Sequence, residues 1–142
     1  MEKNNPVYNF VGLKFVSCEY YRVKDTEIDY FKIKTFNRNY NNENNLFSFL
    51  IDLRLKFENE EESKFTFAVA FIINDKEWKE SIPEDTVEAI FVSSIFPYVR
   101  EKISSLTDDS RGRFTLPIID LRTIKLSEGA TFTATKNKKF HN

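Results

Sequence analysis

Ser81–Pro117, SIPEDTVEAIFVSSIFPYVREKISSLTDDSRGRFTLP, is the only long stretch of the chain with helical periodicity. Val87, Phe91, Ile95, Val99 and Ile103 recur every four residues, and Ile90, Tyr98 and Leu106 lie beside them on one stripe. Such a stripe demands an apolar layer to cover it. Ser81 and Glu84 stand at capping-box spacing, and Pro83 falls in the first turn, where a missing N–H has no helical partner to lose. Pro97 lies inside the periodic run. There it removes one backbone bond and crowds the Ser93 carbonyl, so a kink or break is expected near Ser93–Ser94.

The covering layer precedes the helix. Phe47, Phe49, Ile51, Leu53, Leu55 and Phe57 alternate with Ser48, Asp52, Arg54 and Lys56. Phe65, Phe67, Val69, Phe71 and Ile73 alternate with Lys64, Thr66, Ala68 and Ala70 in the same way. Each run is a strand with one apolar face. The connector Glu58–Ser63 is short and acidic, which predicts an antiparallel hairpin with a solvated turn that discourages edge-to-edge association.

Two further strands lie upstream. In Val7–Val23, Val11, Leu13 and Phe15 alternate before the apolar phase passes to Cys18 and Tyr20, which marks a bulge or a change of neighbour. Thr26–Phe36 is apolar in both phases, with Ile28 and Tyr30 in one and Phe31 and Ile33 in the other. It is expected to be buried on both faces or to lie at an interface. Asn37–Asn45 (NRNYNNENN) reads as a mobile crossover loop, and Asn74–Glu80 as a plain connector.

Beyond the helix, Thr107–Arg113 is a polar turn around Gly112 and Leu116–Leu126 is apolar. Thr123, Thr131, Thr133 and Thr135 favour extended structure, and 136–142 is a flexible basic tail. No repeat or linker divides the 142 residues, so one domain is expected. The predicted fold class is α+β, a four-stranded antiparallel sheet with one long kinked helix packed on it.

Catalytic chemistry is hard to assemble from this inventory. His141 is the only histidine and stands beside the last residue, so neither a histidine triad nor a histidine metal site can be built. Cys18, the only cysteine, sits in a strand pattern as a small buried residue, excludes an intrachain disulfide, and fits a cytoplasmic setting. Three scattered glycines form no phosphate loop. Asp108 and Asp109 read as solvated turn residues, and Asp120 needs a partner if buried. The chain reads as a non-enzyme without cofactor or metal.

A formal net charge of −1 gives no footprint for nucleic acid, and no apolar run is long enough to insert in a membrane. The unusual feature is fifteen Phe against one Trp and one Met. That excess leaves rings available for a partner after a core is filled.

Ile95-Phe96-Pro97-Tyr98-Val99-Arg100-Glu101, followed by Arg111-Gly112-Arg113-Phe114 and Leu116-Pro117, resembles the helix and following turn of the SecB family. In that family a Phe-Pro-Tyr-Ala-Arg-Glu run precedes a Gly-containing turn and a Leu/Pro-rich segment. Phe96, Pro97, Tyr98, Arg100 and Glu101 align with the run one by one. Read from the residues alone, their roles are structural: Pro97 sets the kink, Phe96 and Tyr98 pack beside it, and Arg100 and Glu101 pair within the helix or across an interface.

The resemblance implies an ATP-independent cytoplasmic holdase, assembled as a homotetramer from dimers. Such a chaperone holds unfolded polypeptides or preproteins in apolar grooves beside the helix, for protein export. It also implies docking on the translocase motor ATPase through acidic groups of the sheet, and an acidic tail after a second helix. The tail here is basic.

The candidate client-binding residues are Phe47, Phe49, Phe65, Phe67, Phe71, Phe91, Phe96 and Tyr98, some of which must serve the core. Aromatic surface suits promiscuous recognition, because it offers contact area with little rotamer entropy to lose. The alternatives are a chaperone dedicated to one partner, such as an antitoxin, and an oligomeric interaction module that consumes the same faces.

Overall fold

The computed structural model describes residues 6–22, 27–108 and 132–135. In chain order they form β1 (Tyr8–Glu19), β2 (Ile28–Asn41), β3 (Leu46–Phe57), β4 (Glu62–Ile73), α1 (Lys76–Ser81), α2 (Glu84–Leu106) and β5 (Phe132–Thr135). The strands make one antiparallel sheet in the order β1-β4-β3-β2-β5, with α2 on one face. This is the expected α+β architecture, extended by the short β5 where the threonine-rich segment favours a strand. The apolar segment Leu116–Leu126, Asp109, Asp120 and the tail 136–142 lie outside the described residues.

Alternation in β3 and β4 decides which side is covered. Pairing Phe47 with Phe71, Phe49 with Val69, Ile51 with Phe67 and Leu53 with Phe65 puts all eight side chains on one face, where all are buried. Strand β2 adds Phe31 and Ile33 in the same register. Helix α2 supplies Val87, Phe91, Ile95, Val99 and Ile103, the four-residue series read from the sequence, and every one is buried.

The expected phase change in β1 is a bulge between Phe15 and Ser17, and a second one lies between Phe10 and Gly12. Each inserts one extra residue, Val16 and Val11, which the register leaves without partners. Tyr8, Phe10, Leu13, Phe15 and Cys18 consequently share the helix-side face, and both valines are about half exposed. Burial pushes the Cys18 thiol up, with the Glu19 charge adding to it, which suits a packed residue better than a nucleophile.

Three local expectations need correction. Residues Asn37–Asn41 continue β2 instead of forming a mobile crossover, and residues 42–45 close a tight β2–β3 hairpin. Asn37 and Asn45 take positive φ (56° and 60°), which asparagine tolerates, and Arg38 and Tyr40 are anchored by tertiary contacts. The connection that crosses the sheet is the one from β1 to β2, past both central strands.

The connector before α2 contains a helix of its own, α1, whose Asp75 side chain accepts from the Trp78 N–H. No capping box forms at Ser81. Its hydroxyl instead donates to the Trp78 carbonyl at 2.7 Å, and Pro83 caps α2, its carbonyl accepting from Thr86 and Val87.

Helix α2 runs without a break through Pro97. Proline withholds one N–H from the Ser93 carbonyl, and one turn earlier the Ser94 hydroxyl donates to the Phe91 carbonyl at 2.9 Å.

The first turn of α2 is tied to the sheet by Arg38, which donates to Glu84 at 2.9 Å, to Asp85, and to the buried Glu88 at 2.8 Å. Thr35 donates to the same Glu88 oxygen at 3.1 Å. The Arg38 hydrogen bond holds the Glu84 carboxyl below its ordinary value, against a smaller upward push from burial. On the opposite sheet face, burial raises Glu62, but hydrogen bonds from Tyr30 and Arg54 outweigh it and leave its carboxyl below the ordinary value.

A depressed carboxyl contributes stability above its unfolded pKa and loses it as pH falls through the folded one. The thermal midpoint is therefore expected to start falling below about pH 4. Arg38→Ala should make that fall shallower, as followed by circular dichroism. Tyr30 runs the other way. Its hydrogen bond to Glu62, then its burial, push it up to about 12, so its share is lost only in strong alkali.

Candidate functional site

Strand β1 outruns the helix that covers its neighbours. Its helix-side residues Phe10 and Phe15 pair with Phe71 and Phe67, which are fully buried, yet both remain substantially exposed. Tyr98 on α2 reaches over this uncovered strip and is 57% exposed, while Phe10 is 41% exposed. Their rings stack at 5.7 Å between centroids with 11° between planes. Phe10, Leu13, Tyr98, Glu101, Lys102 and Ser105 line an open cleft of about 400 Å³ between β1 and α2.

Along the outer rim, β1 is the sheet's edge among the described residues, and Val11 and Val16 add apolar surface to it. The cleft thus joins exposed aromatic rings to an unpaired strand edge. That combination accepts an extended chain, side chains on the rings and backbone on the edge. The polar lining of the cleft is Glu101, Lys102 and Ser105. Among the described residues, no group of three or more His, Cys, Asp or Glu is placed to hold a metal ion.

Most of the aromatic candidates read from the sequence lie elsewhere. Phe47, Phe49, Phe65, Phe67, Phe71 and Phe91 are at most 2% exposed and form the sheet–helix core. Phe96 is buried against Phe31, with the rings stacked at 6.5 Å. Of the eight, Tyr98 alone is exposed. In the motif run, Phe96 turns inward, Pro97 and Tyr98 outward, and Arg100 and Glu101 lie on the flank of the helix.

Phe10, Leu13 and Phe15 are not among the binding candidates read from the sequence, where Leu13 and Phe15 appear only in the alternation of the first strand. The signal for them is the phase change in β1, which shows a strand whose apolar side chains cannot all follow one covered face.

The SecB-like chaperone Rv1957 of Mycobacterium tuberculosis, solved in complex with a ChAD peptide from the Rv1956 HigA1 antitoxin, superposes on this chain with a TM-score of 0.58. The match covers 80% of this chain and 90% of that one, at 15% sequence identity. The fold is SecB-like. No family model and no curated protein matches the chain.

The face of the sheet turned away from α2 is of mixed charge. By register it carries Lys14, Lys32, Lys34, Arg54, Lys56 and Lys64 against Glu19, Asp52 and Glu62, with Asp29 at its margin. No helix of the described residues is long and apolar enough to cross a membrane.

Proposed function

We propose that this chain is an ATP-independent chaperone that holds unfolded polypeptide segments in the cleft between β1 and α2. The observation that carries the reading is the exposed Phe10–Tyr98 stack beside a strand edge that no other described strand pairs. Rings left half in water are costly to a protein with no use for them, and two that stack across a cleft are already placed for an apolar side chain. The likeness to a SecB-like chaperone recorded with an antitoxin peptide supports a polypeptide as the client.

On this reading the chain works in the cytoplasm as a homo-oligomer, a dimer or a tetramer built from two dimers, because extended clients need more groove than one subunit offers. A dedicated client such as an antitoxin fits better than general protein export. The mixed, lysine-rich outer face lacks the acidic surface that a translocase motor ATPase would read.

A second reading is favoured by the exposed Val11 and Val16 on the edge strand: an interaction module that closes this rim against another copy of itself. Aggregation of a slowly refolding client separates the two. The chaperone reading expects the protein to suppress light scattering without ATP, and Phe10→Ala/Tyr98→Ala to lose most of that effect while the melting temperature stays within a few degrees. Full suppression by the double variant defeats the assignment of the cleft. Dissociation of an oligomer by the same variant, without any client effect, selects the interaction module.

A further inference from the structure

The sheet face opposite α2 has two halves. At one end an open apolar hollow of about 360 Å³ crosses all four long strands, floored by Gly12, Ser48, Ala68 and Ala70 and walled by Leu50. Gly12 pairs with Ala70, and Ala70 with Ser48, so the small residues stand abreast on three adjacent strands. Gly and Ala are weak strand formers, and glycine inside a strand commonly marks the close approach of another backbone. A Cβ added at Gly12 would meet nothing within 4 Å, so the residue is not kept small by this chain's own packing.

The other half is basic. Lys14, at the lip of the hollow, and Lys32, Lys34 and Lys64 beyond it have no ion pair among the described residues. Arg54 is already held by Asp52 and Glu62, and Lys56 by Asp29. The face holds six cations, Lys14, Lys32, Lys34, Arg54, Lys56 and Lys64, against four acids, Glu19, Asp29, Asp52 and Glu62, a surplus of two positive charges. Glu19 faces Lys64 across the ladder, and Lys32 acts on Glu62.

We propose that this face docks an acidic polypeptide segment, its carboxylates on Lys14, Lys32, Lys34 and Lys64 and an aliphatic side chain in the hollow. The site is separate from the client cleft, on the other side of the sheet. Charge selects the occupant. A second copy brought face to face in a symmetric pair would set the two positive surpluses against each other, which opposes association. Nucleic acid would use the cations but leave the apolar hollow empty, and the chain's net charge of −1 gives it no long-range attraction.

The test uses a fluorescein-labelled twelve-residue peptide of glutamates with two central leucines, its lysine counterpart and a single-stranded oligonucleotide as probes, read by anisotropy. The expected result is binding of the acidic peptide alone, weakened about tenfold or more by Lys32→Glu/Lys34→Glu/Lys64→Glu and by rising salt. Gly12→Leu, whose Cβ meets nothing within 4 Å and whose side chain enters the hollow, should weaken it comparably. Aggregation suppression through the cleft should be unchanged in both variants, and circular dichroism confirms their folding.

The proposal is overturned if the acidic peptide fails to bind, or if both variants keep wild-type affinity. It is equally overturned if the lysine peptide or the oligonucleotide binds as tightly, or if Gly12→Leu instead lowers the mass of an oligomer.

Discussion

Phe91→Ala should cost about 3–5 kcal/mol of stability. The Phe91 ring stacks on Phe71 at 3.9 Å between centroids and 7° between planes, and it also touches Tyr8, Phe47 and Trp78. It is therefore the point where α2, α1 and three strands of the sheet meet. Truncation removes the transfer energy of a wholly buried ring and leaves a void whose walls are other rings, too rigid to collapse into it. Total stability for a domain of this size is only about 5–15 kcal/mol, so the variant should sit close to the folding threshold. Urea unfolding monitored by circular dichroism measures it. A loss under about 1 kcal/mol would mean that Phe91 is not at the centre of the core.

Arg38→Ala should be nearly as damaging, by about 3 kcal/mol, although Arg38 itself is partly exposed. The reason is Glu88, whose side chain is 1% exposed and, among the described residues, keeps only the Thr35 hydroxyl once the guanidinium is gone. An uncompensated buried charge costs far more than a surface pair contributes. The control is Arg38→Met/Glu88→Leu, which removes both charges and should recover most of the loss. If the double variant is as unstable as the single one, the loss comes from packing and not from the stranded carboxylate.

Much of this fold is legible in the sequence because its strongest elements are periodic. The alternation in β3 and β4 and the four-residue series from Val87 to Ile103 each name their buried face directly. Other features rest on contacts far apart in the chain. Asn37–Asn41 is polar and reads as a loop, but Arg38 reaches a helix beginning 46 residues later, and that bond keeps the strand going. Ser81 and Glu84 have capping-box spacing, yet α2 starts at Pro83, because Ser81 already closes α1.

The site was the least legible part. Periodicity tells which face of a strand is apolar, not how far the covering helix extends. Phe67 and Phe15 are cross-strand neighbours on the same face, yet the first is sealed and the second is exposed. What separates them is that α2 covers the central strands and leaves the edge, a fact about the third dimension alone. Tyr98 stood out in the sequence through its motif. Phe10, which completes the stack, carried no such mark.

The cleft between β1 and α2 is tested most directly by a photo-crosslinker, p-benzoylphenylalanine, placed at position 98 and, as a control in the exposed β2–β3 turn, at position 43. The account predicts that a client held unfolded in dilute urea is captured from position 98 and not from position 43, and that capture disappears once the client has folded. Equal capture from both positions, or capture of the native client, would contradict it.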